Sequence, residues 1–100
     1  MILYNITVII EEAIEAEWLT WINQEFIPNA LSSNLLVSNR LLKVIDSPNE
    51  GITYCLQFIS DSIENYLEFT NTYSNNLLST HTRQFENRSV LFSTAMEFIN

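Results

Sequence analysis

Both tryptophans of this 100-residue chain fall in one stretch, Glu17-Trp18-Leu19-Thr20-Trp21-Ile22-Asn23-Gln24-Glu25-Phe26-Ile27-Pro28, and stand three apart. On a helix that spacing puts them on adjoining parts of one face. Ile14, Ile22 and Phe26 extend the stripe at the offsets of a helix lying on a core. Pro28 lacks the amide that a continuing helix needs, so the pattern predicts a helix over 12–27 that this residue closes.

The rest of the chain supplies strands for that helix to lie on. Residues 2–10 alternate as a strand should: Ile2, Tyr4, Ile6, Val8 and Ile10 make an apolar face, and Leu3, Asn5, Thr7 and Ile9 a mixed one. Glu11 and Glu12 suit the positive end of the helix that follows. Its outer face carries Glu12, Glu15, Asn23 and Gln24, read as an ordinary solvated surface. After a loop over 28–34, residues 35–45 read as a second strand. Asp46-Ser47-Pro48-Asn49-Glu50-Gly51 reads as a turn, and 52–60 as a third strand hairpinned to the second. In that strand Ile52, Tyr54, Leu56 and Phe58 face the core.

Asp61 with Glu64 forms a capping-box pattern that opens a second helix. Its expected inner stripe is Ile63, Tyr66, Leu67, Thr70, Tyr73 and Ser74. The Ser74-Asn75-Asn76 run predicts a break, because these side chains compete for backbone hydrogen bonds. A further helical piece runs to about Phe85, and Asn87 suits a left-handed residue after it. Residues 89–98 form the last strand, with Val90, Phe92, Thr94, Met96 and Phe98 expected on the core face.

The order βαββαβ predicts an α+β, ferredoxin-like fold over 1–100 as a single domain: a four-stranded antiparallel sheet with both helices on one face. The expected other face mixes Leu3, Ile9, Leu91 and Ala95 with Asn5, Thr7, Ser89, Ser93 and Glu97. That is too apolar to stand bare in water, so a homodimer packed sheet to sheet, a dimeric α/β barrel, is expected.

Charge narrows the function classes. The formal net charge is −8, and the four cations, Arg40, Lys43, Arg83 and Arg88, are scattered. A nucleic-acid binder needs clustered cations, and an anionic membrane surface attracts them too, so neither partner is expected. The single cysteine, Cys55, fits a reducing compartment. No signal-peptide pattern or membrane-length apolar run occurs, and a cytoplasmic protein is expected. Metal binding is not expected from one His and one Cys far apart, nor a phosphate loop from one glycine. No cofactor is called for.

Several segments carry a family resemblance: Met1-Ile2-Leu3-Tyr4-Asn5-Ile6-Thr7-Val8, Glu17-Trp18-Leu19-Thr20-Trp21 followed by Ile27-Pro28, Gly51-Ile52-Thr53-Tyr54, and the ending Glu97-Phe98-Ile99-Asn100. With this spacing the chain resembles an uncharacterised family of short bacterial proteins, a domain of unknown function. The resemblance covers nearly the whole chain and implies the dimeric ferredoxin-like fold, with no established activity. More distantly the layout is similar to small α/β-barrel monooxygenases, ethyl-tert-butyl-ether-degradation-type proteins and stress-responsive barrel proteins. Those relatives often carry a histidine where this chain has Phe26, and His81 matches a second family histidine. The glycines that usually follow Phe85 are here Glu86 and Asn87.

His81, the only imidazole, is therefore the candidate catalytic base, against the plainer reading of a structural histidine without a relay partner. Trp18, Trp21 and Tyr54, with Glu25, are the candidate ligand-binding residues, against plain core packing for the aromatics and an exposed carboxylate for Glu25. Two functions follow: a non-enzymatic dimeric module that binds a small apolar ligand or a protein, or a cofactor-independent monooxygenase- or isomerase-like enzyme acting between helices and sheet. The absence of a histidine at Phe26 and of any triad or metal set favours the first.

Overall fold

The computed structural model describes residues 1–48 and 50–100. β1 (Ile2–Ile10), β2 (Ser38–Lys43), β3 (Ile52–Ser60) and β4 (Ser89–Glu97) form one antiparallel sheet in the order β2-β3-β1-β4. Two helical stretches, 12–31 and 63–84, follow β1 and β3 and bury their apolar sides in one core against the sheet. This is the ferredoxin-like α+β arrangement.

β1 sits inside the sheet, and its alternation does what the sequence implies. Ile2, Tyr4, Ile6, Val8 and Ile10 are at most 5 % exposed. Tyr4, Ile6, Val8 and Ile10 meet Trp18, Ile22, Phe26, Phe58 and Phe69 in the core. The turn before β3 needs its glycine: Gly51 has φ +87°, and a Cβ there would stand 2.5 Å from the Ile10 carbonyl oxygen. Asn49 of the expected turn lies outside the described residues. β2 is shorter than expected, though the amides of Val37 and Val44 still reach the carbonyls of Ile59 and Thr53 at 2.8 and 2.9 Å.

β4 reverses its expected facing. Val8 pairs with Leu91, Ile6 with Ser93 and Tyr4 with Ala95, so these residues share the helix side. Val90, Phe92, Thr94 and Met96 project to the open side, and Val90 and Phe92 are 61 % and 55 % exposed. Register on β1 decides this, because a slip of one residue exchanges the two faces of a strand. β4 is also an edge strand, so its own apolar content has no second partner strand to enforce it. Phe98 lies past the strand, where its amide donates to the Met1 carbonyl at 3.1 Å, and it too is largely exposed.

The first helix does not stop at Pro28. A 3-10 turn (Glu12–Ile14) leads into α-helix (Glu15–Trp21), then a π turn (Ile22–Phe26), then α-helix again (Ile27–Leu31). The Ile27 amide reaches back to the Ile22 carbonyl, so the ladder is already widened where the proline ring enters. The chain leaves the helix through Asn34, at φ 63°.

The second helix departs from expectation at three points. Its cap is Ser62, whose hydroxyl accepts from the Asn65 amide at 3.1 Å, and not Asp61 with Glu64; Ser62 has the extended backbone that a cap requires. The expected break at Ser74-Asn75-Asn76 is a π turn (Thr70–Ser74) that runs on into Asn75–Gln84. Ser74 does not compete for the backbone, because its hydroxyl is paired with the buried Tyr4 phenol at 2.8 Å. The widened turn also changes the helix phase. Phe69, Ser74, His81 and Phe85 are buried, whereas Ile63 and Leu67 are both 48 % exposed. Asn87 has the left-handed backbone expected of it, at φ 65°.

Candidate functional site

His81 sits in the last α-helical segment of the second helix and is 1 % exposed. Leu77, His81 and Phe85 follow at four-residue spacing, which directs this stripe at the first helix. Trp18, at 0 % exposure, donates its indole N–H to His81 Nε2 at 2.9 Å. The rings of Phe85, Trp21 and Phe26 surround the imidazole at 5.3, 5.8 and 6.3 Å between centroids. Burial in this apolar cage lowers the His81 pKa to about 4. The imidazole is therefore neutral near pH 7, and because Nε2 accepts, its proton is on Nδ1. Nδ1 is buried with no hydrogen-bond partner among the described residues. An imidazole with one nitrogen engaged and the other enclosed is poorly placed to exchange protons with a bound molecule.

Phe26 is 3 % exposed. It packs on Trp21 and Phe58 at 5.9 and 6.5 Å. An apolar ring thus faces His81.

On the other side of Trp18, Tyr54 from β3 lies with its ring 4.8 Å away. Its hydroxyl donates to Glu15 Oε2 at 2.6 Å, and the same oxygen takes Lys43 Nζ at 2.9 Å. Glu15 is thus not the idle surface residue its helix position suggested. The hydrogen bond from Tyr54, and then that from Lys43, lower its pKa. Burial, and then the bond to Glu15, raise that of Tyr54 to about 12. The pair joins the start of the first helix to the sheet.

The four residues singled out as ligand contacts are not gathered around one opening. Trp18 and Tyr54 are interior, and Glu25 is exposed beside a shallow groove that it shares with Thr20, Trp21 and Gln84. Trp21 alone of the four borders a deeper cleft of about 250 Å3 between the two helices. Phe26, Asn29, Tyr73, Asn76 and Leu77 line it as well, and no lining residue is charged. Asn29 and Asn76 are not singled out by the sequence, since polar residues on a helix carry no mark of facing a neighbouring helix. Among the described residues no group of three His, Cys, Asp or Glu side chains could hold a metal ion. Among the described residues no helix is long and apolar enough to cross a membrane.

Comparison with known proteins agrees with this fold. The chain resembles an ethyl tert-butyl ether degradation family protein of Bacillus halodurans at 12 % identity and a TM-score of 0.67, covering 98 % of this chain and 100 % of the other. It resembles SnoaB of Streptomyces nogalater, a cofactor-independent oxygenase, at 11 % and 0.69, over 99 % and 94 %. A dimeric ferredoxin-like protein from an uncultured marine organism is similar at 16 % and 0.71, over 100 % and 96 %. At such identities the likeness is one of fold. No curated protein matches the chain. The model of one family, a domain of unknown function (DUF4286), matches residues 1–99, and the chain belongs to that family.

Proposed function

We propose that this chain is a non-enzymatic binding module that works as a homodimer joined through the open face of its sheet. One observation carries the reading: none of the strand positions that share that face is acidic, although Glu11, Glu50 and Glu97 border its ends. Its positions are Leu3, Asn5, Thr7 and Ile9 of β1, with their neighbours on the other strands. Among these neighbours Leu42, Val90, Phe92 and Met96 are exposed apolar side chains. Two copies that each carry a formal charge of −8 repel, and contact through strand positions that carry no carboxylate keeps the nearest like charges at the rim. Exposed apolar side chains concentrated on one sheet face are the usual mark of an interface. A related fold described as a dimeric ferredoxin-like protein supports the same reading.

The non-enzymatic part rests on His81, the one side chain with an ordinary pKa near neutrality. It is engaged by Trp18 and held neutral, with no relay partner among the described residues. The alternative, a cofactor-independent monooxygenase- or isomerase-like enzyme, draws on the oxygenase neighbour, which shares the fold. A cytoplasmic location accords with the free thiol of Cys55.

Native mass spectrometry of protein purified from its own host tests this reading. A dimer is expected, and a retained extra mass would identify a ligand directly. A monomer at micromolar concentration would overturn the sheet-to-sheet assembly. Oxygen consumption dependent on His81 with any retained molecule would overturn the non-enzymatic role.

A further inference from the structure

We infer that the cleft between the two π turns is a binding site for a neutral, ring-bearing small molecule with hydroxyl, carbonyl or amide groups. This rests on the reading of the chain as a binding module and names the ligand class and the site. The two helices each leave α geometry once, at Ile22–Phe26 and at Thr70–Ser74, and both π turns border the same cleft. Phe26 comes from the first turn, Thr72 and Tyr73 from the second. Such turns are rare and concentrate at functional sites, and two meeting across one opening have a common purpose in shaping it.

The lining specifies the ligand. Trp21 and Tyr73 offer ring surface, and Tyr73 is held from behind by stacking on Phe69 at 5.9 Å with 20° between planes. Asn29 from one helix and Asn76 from the other contribute the polar groups. Among the described residues neither side-chain amide is bonded within the chain; what pairs there are the backbone carbonyls of both residues, which accept from Ser32 and Thr80. Each free amide can donate and accept, which suits hydroxyl, carbonyl or amide groups of a ligand. No charged side chain lines the cleft, although the chain carries 16. A charged ligand would lose water there without gaining a counter-ion, so the site selects neutral molecules. A volume of about 250 Å3 admits a small ring system and its substituents.

Three probes of one shape and different charge test this: benzamide, benzoate and benzylammonium, titrated into the whole protein and followed by two-dimensional 15N NMR. The Trp21 indole signal reports on the cleft, and the enclosed Trp18 indole is the internal control. Benzamide is expected to shift Trp21 and the Asn29 and Asn76 side-chain amides saturably, at about millimolar affinity for so small a molecule. Benzoate and benzylammonium should bind roughly tenfold more weakly or not at all, the equivalent of an uncompensated loss of hydration. Asn76→Phe should fill the cleft and abolish the benzamide shift, and Asn29→Leu should weaken it severalfold; both positions are exposed, so the fold should be retained. The proposal fails if benzamide gives no saturable shift at Trp21, if all three probes act equally, if benzylammonium binds best, or if binding survives Asn76→Phe. Diffusion measured on the same samples separates the two readings. A dimer without benzamide binding overturns the site alone, and a monomer that binds benzamide overturns the assembly alone.

Discussion

The two faces of β1 belong to one strand and yet meet opposite fates. Toward the helices, Tyr4, Ile6 and Val8 vanish beneath Trp18, Ile22, Phe26 and Phe69. Toward the open side, Asn5, Thr7 and Gln57 form a hydrogen-bonded row, with the Asn5 amide on Thr7 at 3.0 Å and that of Gln57 on Asn5 at 3.2 Å. Leu3, Ile9, Phe92 and Met96 flank this row. The covered face is uniformly apolar and closes by volume filling. The open one alternates apolar rows with a paired polar row, a composition suited to a contact surface and not to a monomer's core. Neighbouring residues of one strand can thus serve stability and assembly separately.

The largest expected effect tests the covered face. Trp18→Ala should lower stability by about 3–5 kcal/mol, through a lost aromatic volume and an unpaired His81 Nε2. Chemical denaturation measures it, and an unchanged midpoint would break the account of the core.

His81 sharpens the same side through pH. Its folded pKa, about 4, lies below its ordinary value of 6.5, so the unfolded chain binds the proton more readily. Stability is therefore full above pH 6.5 and falls as the pH drops toward 4, by about 3 kcal/mol at most. Urea midpoints between pH 7 and 5 should fall for the wild type and stay nearly flat in His81→Gln. Parallel curves would show that another group titrates.

The two faces of β4 separate the roles further. Phe92→Glu should weaken the proposed dimer by about 10–100-fold, roughly 1.4–2.7 kcal/mol, and leave the monomer folded. Its neighbour Leu91→Glu should instead lower the melting temperature, since Leu91 packs against the core. Analytical ultracentrifugation and thermal melts read the pair, and exchanged outcomes would mean that β4 is in the other register.

The smallest effect lies at the rim. Tyr54→Phe removes the hydroxyl bond to Glu15 but leaves the ring on Trp18, and should cost about 1 kcal/mol. A larger loss would make the Glu15–Tyr54–Lys43 group part of the core and not a tether at its edge.

Much of this architecture was legible in residue order. The strict alternation of Ile2 to Ile10 named β1 and its buried face, since five apolar side chains at period two leave one way to hide them. The Trp18–Ile22–Phe26 spacing named the first helix and its side, and Asn87 the left-handed turn after the second. The site was less legible. Trp21 stood out by its residue type, but the cleft that it borders joins Asn29 to Asn76, which are remote in sequence and alike to any other exposed asparagine until two helices lie side by side.

By itself, then, the sequence determined the elements, their order and the buried side of β1 and β3, because hydrophobic period and turn chemistry act within a few residues. Tertiary structure decided the rest. It set the facing of β4, because an edge strand takes its register from the strand it pairs with. It carried the first helix past Pro28 and the second through Ser74, because a π turn widens the ladder before the proline ring and the Tyr4 hydroxyl occupies that of Ser74. It made His81 a neutral acceptor for Trp18, because the charge of an imidazole depends on what surrounds it.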